Sequence, residues 1–103
     1  MKEWTSEELY TFISNRQTGL AYFYTPLCGT CQVAGRMLEV IEELLPEMAI
    51  GKINLNYAPE FAEIFGVESV PCMVFIKEGQ IGESIYAFRS VPYLLDKIKI
   101  FYS

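Results

Sequence analysis

The 103-residue sequence contains no histidine. That absence removes Ser–His and Cys–His nucleophile pairs, and any metal site built on two histidines of one chain. Aspartate is almost missing too, since Asp96, near the C-terminus, is the only one. Proton transfer therefore falls to Glu, Lys, Tyr, Cys or water. The eight basic residues are scattered and are outnumbered by thirteen acidic ones, for a formal net charge of −5. This argues against nucleic acid and anionic membrane as partners, because both need Lys and Arg to meet phosphates. Cysteine is sparse and odd in number: Cys28, Cys31 and Cys72 do not make the disulfide framework of small secreted domains. No apolar run approaches the roughly 18 residues that span a bilayer. The stretch from Met1 to Glu8 is charged and has no apolar centre, so no signal peptide is expected, and the expected location is the cytoplasm.

What is abundant is apolar surface, with 51% hydrophobic and 15% aromatic residues. That suffices for one core in one domain over residues 1–103, without staples or structural metal. Thr5 and Glu8 form a capping box that opens a first helix, with Trp4 and Leu9 placed as a hydrophobic staple. Gly19 is expected to follow that helix with a positive φ. Leu20 to Thr25 reads as a strand buried on both faces, ended by Pro26. A helix is expected from about Cys31 to Leu45, with Val33, Met37, Leu38, Ile41 and Leu45 on one face. Ala49 to Leu55 is a second strand, Pro59 opens a short helix, and Val70 to Lys77 is a third strand. Glu78-Gly79 turns the chain into a fourth strand, Ile81 to Phe88, as an antiparallel hairpin. Ser90 caps a last helix. The order α-β-α-β-α-β-β-α predicts an α/β fold with a mixed four-stranded central sheet and helices on both faces. Helical crossovers favour parallel pairing among the first three strands.

The chemistry sits at Cys28-Gly29-Thr30-Cys31, between a buried strand and a helix N-terminus. There the unpaired N–H groups and the positive end of the helix dipole stabilise a thiolate. A three-residue step along the first turn brings Cys31 beneath Cys28, close enough for a disulfide, and Gly29 permits the tight turn. Cys28 is then the attacking, more exposed thiol and Cys31 the resolving, more buried one.

At this point the chain resembles the thioredoxin family, over nearly its whole length. The residues that carry the likeness are Tyr22 to Cys31, Gly51 to Asn56 with Lys52, Phe65 to Pro71, and Val74 to Gly79. The resemblance implies a thioredoxin-like fold whose first strand is reduced to a few residues of Met1–Trp4 or absent. It implies a cis Val70–Pro71 bond, with the backbone of Val70 beside Cys28 and able to hydrogen-bond an extended substrate. It implies thiol–disulfide oxidoreductase activity in cell redox homeostasis, carried by the Cys28–Cys31 pair with no organic cofactor. Substrates would be disulfide-bearing proteins or small thiols, and electrons would come from a thioredoxin-reductase-like protein or a low-molecular-weight thiol. A monomer is expected. The sequence departs from the family pattern at Leu27, where Trp is usual, at Thr30, where Pro is usual, and at Ala87, where Gly is usual. It also places Tyr22 where the family has a buried Asp. The expected substrate-contact residues are Leu27, Gly29, Thr30, Val70 and Pro71, with Pro26 extending an apolar patch. Tyr22 and Lys52 are expected to lie behind the pair.

Other readings stay open from the residues alone. CxxC is half of a zinc site, but one further Cys and no His leave it without four usual ligands. A metal or iron–sulfur cluster shared across a dimer would use Cys28 and Cys31 of two chains. A redox-silent module would keep the fold as an interaction platform. Cys72 reads as a core residue and Pro71, without the resemblance, as an ordinary strand-start proline.

Overall fold

A computed structural model describes residues 1–103. In chain order the elements are β1 (Lys2–Glu3), α1 (Ser6–Ser14), β2 (Gly19–Tyr24), α2 (Gly29–Leu44), β3 (Ala49–Asn54), α3 (Glu60–Ile64), β4 (Cys72–Lys77), β5 (Gln80–Ile85) and α4 (Val91–Tyr102). The sheet has five strands in the order β1-β3-β2-β4-β5. The expected count of four omits β1, a two-residue parallel partner of β3 through Lys2 and Glu3. Both of its residues are exposed and charged, so it carries no hydrophobic alternation to read.

Pairing among the three central strands differs from the expectation. β2 runs parallel to β3 but antiparallel to β4. The connection between β3 and β4 stays at one end of the sheet. A five-residue helix advances about 8 Å, whereas a six-residue strand covers about 20 Å, so α3 cannot carry the chain back along the sheet. β3 leaves the sheet where Asn54 faces Tyr24, and β4 re-enters at the same end, where Cys72 faces Phe23. The hairpin from β4 to β5 is as expected, with Glu78 (φ 53°) and Gly79 (φ 77°) both left-handed at its tip.

Alternation along β2 builds two cores at once. Ala21 and Phe23 point to one face, where Leu9, Phe12 and Phe61 of α1 and α3 cover them. Leu20 and Tyr22 point to the other, against Leu38, Ile41 and Leu94 of α2 and α4. The capping box forms as read: Thr5 Oγ1 accepts the Glu8 N–H at 3.1 Å, and Glu8 accepts the Thr5 N–H at 3.1 Å. Trp4 packs on Phe12 with ring centroids 4.7 Å apart. Its indole lies over Gly51, where any Cβ would collide with the ring. Helix α1 ends earlier than Gly19 suggests: Asn15 is the C-cap and Arg16 takes the left-handed conformation at φ 55°. Gly19 instead begins β2.

Candidate active site

Cys28 is the N-cap of α2, with extended backbone at φ −109° and ψ 107°. Pro26 and the loop before it end β2, so the chain turns directly from a buried strand into a helix. The Cys28 side chain does what a Ser or Asp does at other helix starts. Its Sγ accepts the Cys31 N–H at 3.1 Å, and Thr30 Oγ1 lies 3.3 Å from it. Cys28 and Cys31 are joined in a disulfide, with Cα atoms 5.1 Å apart. Cys28 is half-buried and Cys31 buried, which is the order of exposure expected from the sequence. Gly29 has no positive φ, and a Cβ there would meet no atom within 4 Å, so the turn does not need glycine for steric reasons.

Leu27, next to the pair, is fully exposed. The Val70–Pro71 peptide is cis, and both residues are half-buried. Pro71 and Thr30 line one groove of about 370 Å³, together with Val33, Met37, Phe88 and Arg89. Phe88 closes the segment read as a strand and Arg89 follows it, but β5 ends at Ile85 and the chain leaves the sheet to form this wall.

Behind the pair, Tyr22 is buried and its hydroxyl donates to the Cys31 carbonyl oxygen. Burial pushes the Tyr22 phenol up to about 12, so it is a fixed donor rather than a base. Tyr22, Lys52 and Cys31 border one cavity of about 270 Å³, which also takes in Tyr24, Arg36 and Glu39. The Lys52 ammonium sits 5.5 Å from the centroid of the Tyr24 ring, and Tyr24 donates to the Glu3 carboxylate at 2.8 Å. Arg36 and Glu39 were not singled out in the sequence. Their signal was the shared helix face with Gln32, which also borders the cavity, at i+4 and i+7 along α2. Cys72 is fully buried in the core cluster under α1 and α3, and burial pushes its thiol up to about 11.

The comparisons with known proteins agree with this architecture. The thioredoxin family model matches residues 1–99. The thioredoxin-like protein YusE of Bacillus subtilis is 51% identical over 80 residues, covering 78% of this chain and 76% of that protein. A thioredoxin of Chlamydia caviae is 33% identical over 93 residues, covering 88% of each. A thioredoxin variant from Halobacterium salinarum superposes with a TM-score of 0.86 at 26% identity, covering all of this chain and 90% of the other. With a family model spanning nearly every residue and a paired CxxC at the strand–helix junction, the chain belongs to the thioredoxin family.

Proposed function

We propose that this chain reduces disulfides by dithiol exchange, with Cys28 as the attacking thiol and Cys31 as the resolving one. The observation that carries this reading is the environment of Cys28 Sγ: it caps α2, accepts a backbone N–H, and is bonded to a buried Cys31. In the reduced chain the Cys28 thiolate attacks one sulfur of a substrate disulfide. That S–S bond breaks, the leaving thiolate takes a proton from water, and a mixed disulfide remains. Cys31, having lost its proton, attacks Cys28 Sγ and releases the second substrate thiol. Two electrons pass to the substrate and the Cys28–Cys31 disulfide forms. A dithiol reductant returns the pair to its starting state; a thioredoxin-reductase-like protein or a low-molecular-weight thiol fits that need. The reaction uses no organic cofactor and suits the cytoplasm, where thiols are kept reduced.

Tyr22 holds the first turn of α2 through the Cys31 carbonyl, and the cavity it shares with Lys52 gives the Cys31 proton a route to solvent. Leu27, Gly29, Thr30, Val70 and Pro71 form the surface on which the substrate lies. The redox-silent and metal-sharing alternatives are not favoured, because the two thiols are committed to each other in a disulfide.

The test is a pair of variants. Cys28→Ser is expected to abolish reduction of a protein disulfide, and Cys31→Ser to accumulate a covalent adduct on Cys28 that a reductant releases. Full activity in Cys28→Ser would refute the assignment.

A further inference from the structure

The groove beside Thr30 and Pro71 is walled by apolar and hydroxyl-bearing side chains, with one exception. Arg89 is the only charged residue on it. The ion pairs of the molecule are Met1 with Glu42, Lys2 with Glu8 and Lys97 with Glu83; Arg89 is in none of them. Its side chain is exposed but not loose, because the guanidinium carbon lies 5.0 Å from the centroid of the ring of Tyr93, in the first turn of α4. Lys97 approaches that ring as well, at 6.0 Å, yet its charge is met by Glu83 at 3.4 Å. The Arg89 backbone is left-handed at φ 60°, a conformation that disfavours any residue with a Cβ. An arginine is thus held at the rim of the groove, anchored on an aromatic face and without an anionic partner, in a chain whose net charge is −5. A guanidinium presents a planar fork that matches a carboxylate, and anchoring lowers the entropy lost when one binds.

We infer that Arg89 is a specificity-determining residue that favours substrate disulfides whose flanking residues carry a carboxylate. This rests on the reductase reading above. The extended segment around the substrate cysteine would lie in the groove, with a Glu or Asp side chain reaching Arg89. An exposed pair of this kind changes rates by about two- to fivefold, and salt weakens it.

The experiment compares two disulfide-bonded peptides that differ only in glutamate or glutamine at the positions flanking the cysteine. Each is reduced by the wild-type chain and by Arg89→Asn, chosen because Asn tolerates the left-handed backbone. The expected result is a loss of kcat/KM about two- to fivefold greater for the glutamate peptide than for the glutamine peptide, and a smaller difference at 1 M salt. Arg89→Lys should keep part of the preference, and Arg89→Glu should widen the loss and favour a lysine-flanked peptide. Equal losses on both peptides, or no loss on either, would overturn the inference while leaving the reductase reading intact. Failure of the wild-type chain to reduce either peptide would overturn the reductase reading and this inference with it.

Discussion

At the scale of single residues, the redox behaviour turns on what surrounds Cys28 Sγ. The Cys31 N–H and the start of α2 both favour a thiolate there, and Thr30 brings a hydroxyl to 3.3 Å. Behind the pair stands a phenol, not a carboxylate, and burial keeps it neutral through the physiological range. The one carboxylate on the cavity behind the pair, Glu39, shares it with the cations Arg36 and Lys52, which offset its opposition to the thiolate. Stabilising the thiolate stabilises the reduced form, so the disulfide becomes more oxidising. The expected potential is therefore less negative than the roughly −270 mV of thioredoxin, at about −200 to −250 mV. Thr30→Pro removes the hydroxyl at a first-turn position that tolerates proline, and should move the potential back toward the reducing end. Equilibration of both proteins against a glutathione buffer measures this. A wild-type value at or below that of thioredoxin, or a Thr30→Pro shift in the oxidising direction, would show that the electrostatic argument has the wrong sign.

At the scale of elements, α2 carries both the chemistry and the packing. Its buried stripe of Cys31, Ala34, Leu38 and Ile41 joins the inner cysteine of the pair to the core in one helix. Leu38 is fully buried, and Leu38→Ala should lower stability by about 2–5 kcal/mol, read from the midpoint of urea unfolding at unchanged m. At α1 the capping box is local and exposed, so Thr5→Ala should lower stability by only about 1 kcal/mol. Elements with a periodic apolar stripe or a capping residue, such as α1, α2 and α4, were legible in the sequence, and so were the CxxC at the head of α2 and the proline before β4. β1, two charged residues with no pattern of their own, falls within Met1–Trp4, where the resemblance allowed a reduced strand. Two features were not legible. The antiparallel turn of β4 against β2 depends on the β3–β4 connection staying at one end of the sheet, which is a matter of geometry rather than of composition. The wall made by Phe88 and Arg89 looked like the end of a strand, because Tyr86, Ala87 and Phe88 continue the apolar run beyond the last paired residue, Ile85. The residues that share the rear cavity come from α2, β2 and β3 together, so only the pairing register brings Lys52 opposite Tyr22.

At the scale of the whole molecule, a sheet covered on both faces hides ionisable groups that water would otherwise solvate. Burial pushes the Cys72 thiol from 9.0 up to about 11, and the Tyr22 and Tyr102 phenols from 10.0 up to about 12. Tyr102 donates to the Gly19 carbonyl at 2.6 Å, so its proton also holds the end of α4 to β2. Each group stays protonated in the folded chain over a window in which the unfolded chain has already released the proton. The folded state then binds more protons than the unfolded state, and stability falls as pH rises. For Cys72 the loss begins above about 9 and ends near 11; for the two tyrosines it runs from about 10 to 12. Inside its window each group contributes at most about 1.4 kcal/mol per pH unit. The measurement is urea unfolding between pH 7 and 12 in a Cys28→Ser, Cys31→Ser background, where the Cys72 thiolate has no disulfide to attack. The midpoint should hold steady to about pH 9 and then decline. Adding Tyr22→Phe and Tyr102→Phe lowers stability at pH 7, because two hydroxyl hydrogen bonds are lost, yet it should flatten the decline between pH 10 and 12. An equally steep decline in that variant would assign the alkaline loss to the other raised phenols, Tyr24 and Tyr86, or to the growing negative charge of the whole chain, instead of to Tyr22 and Tyr102.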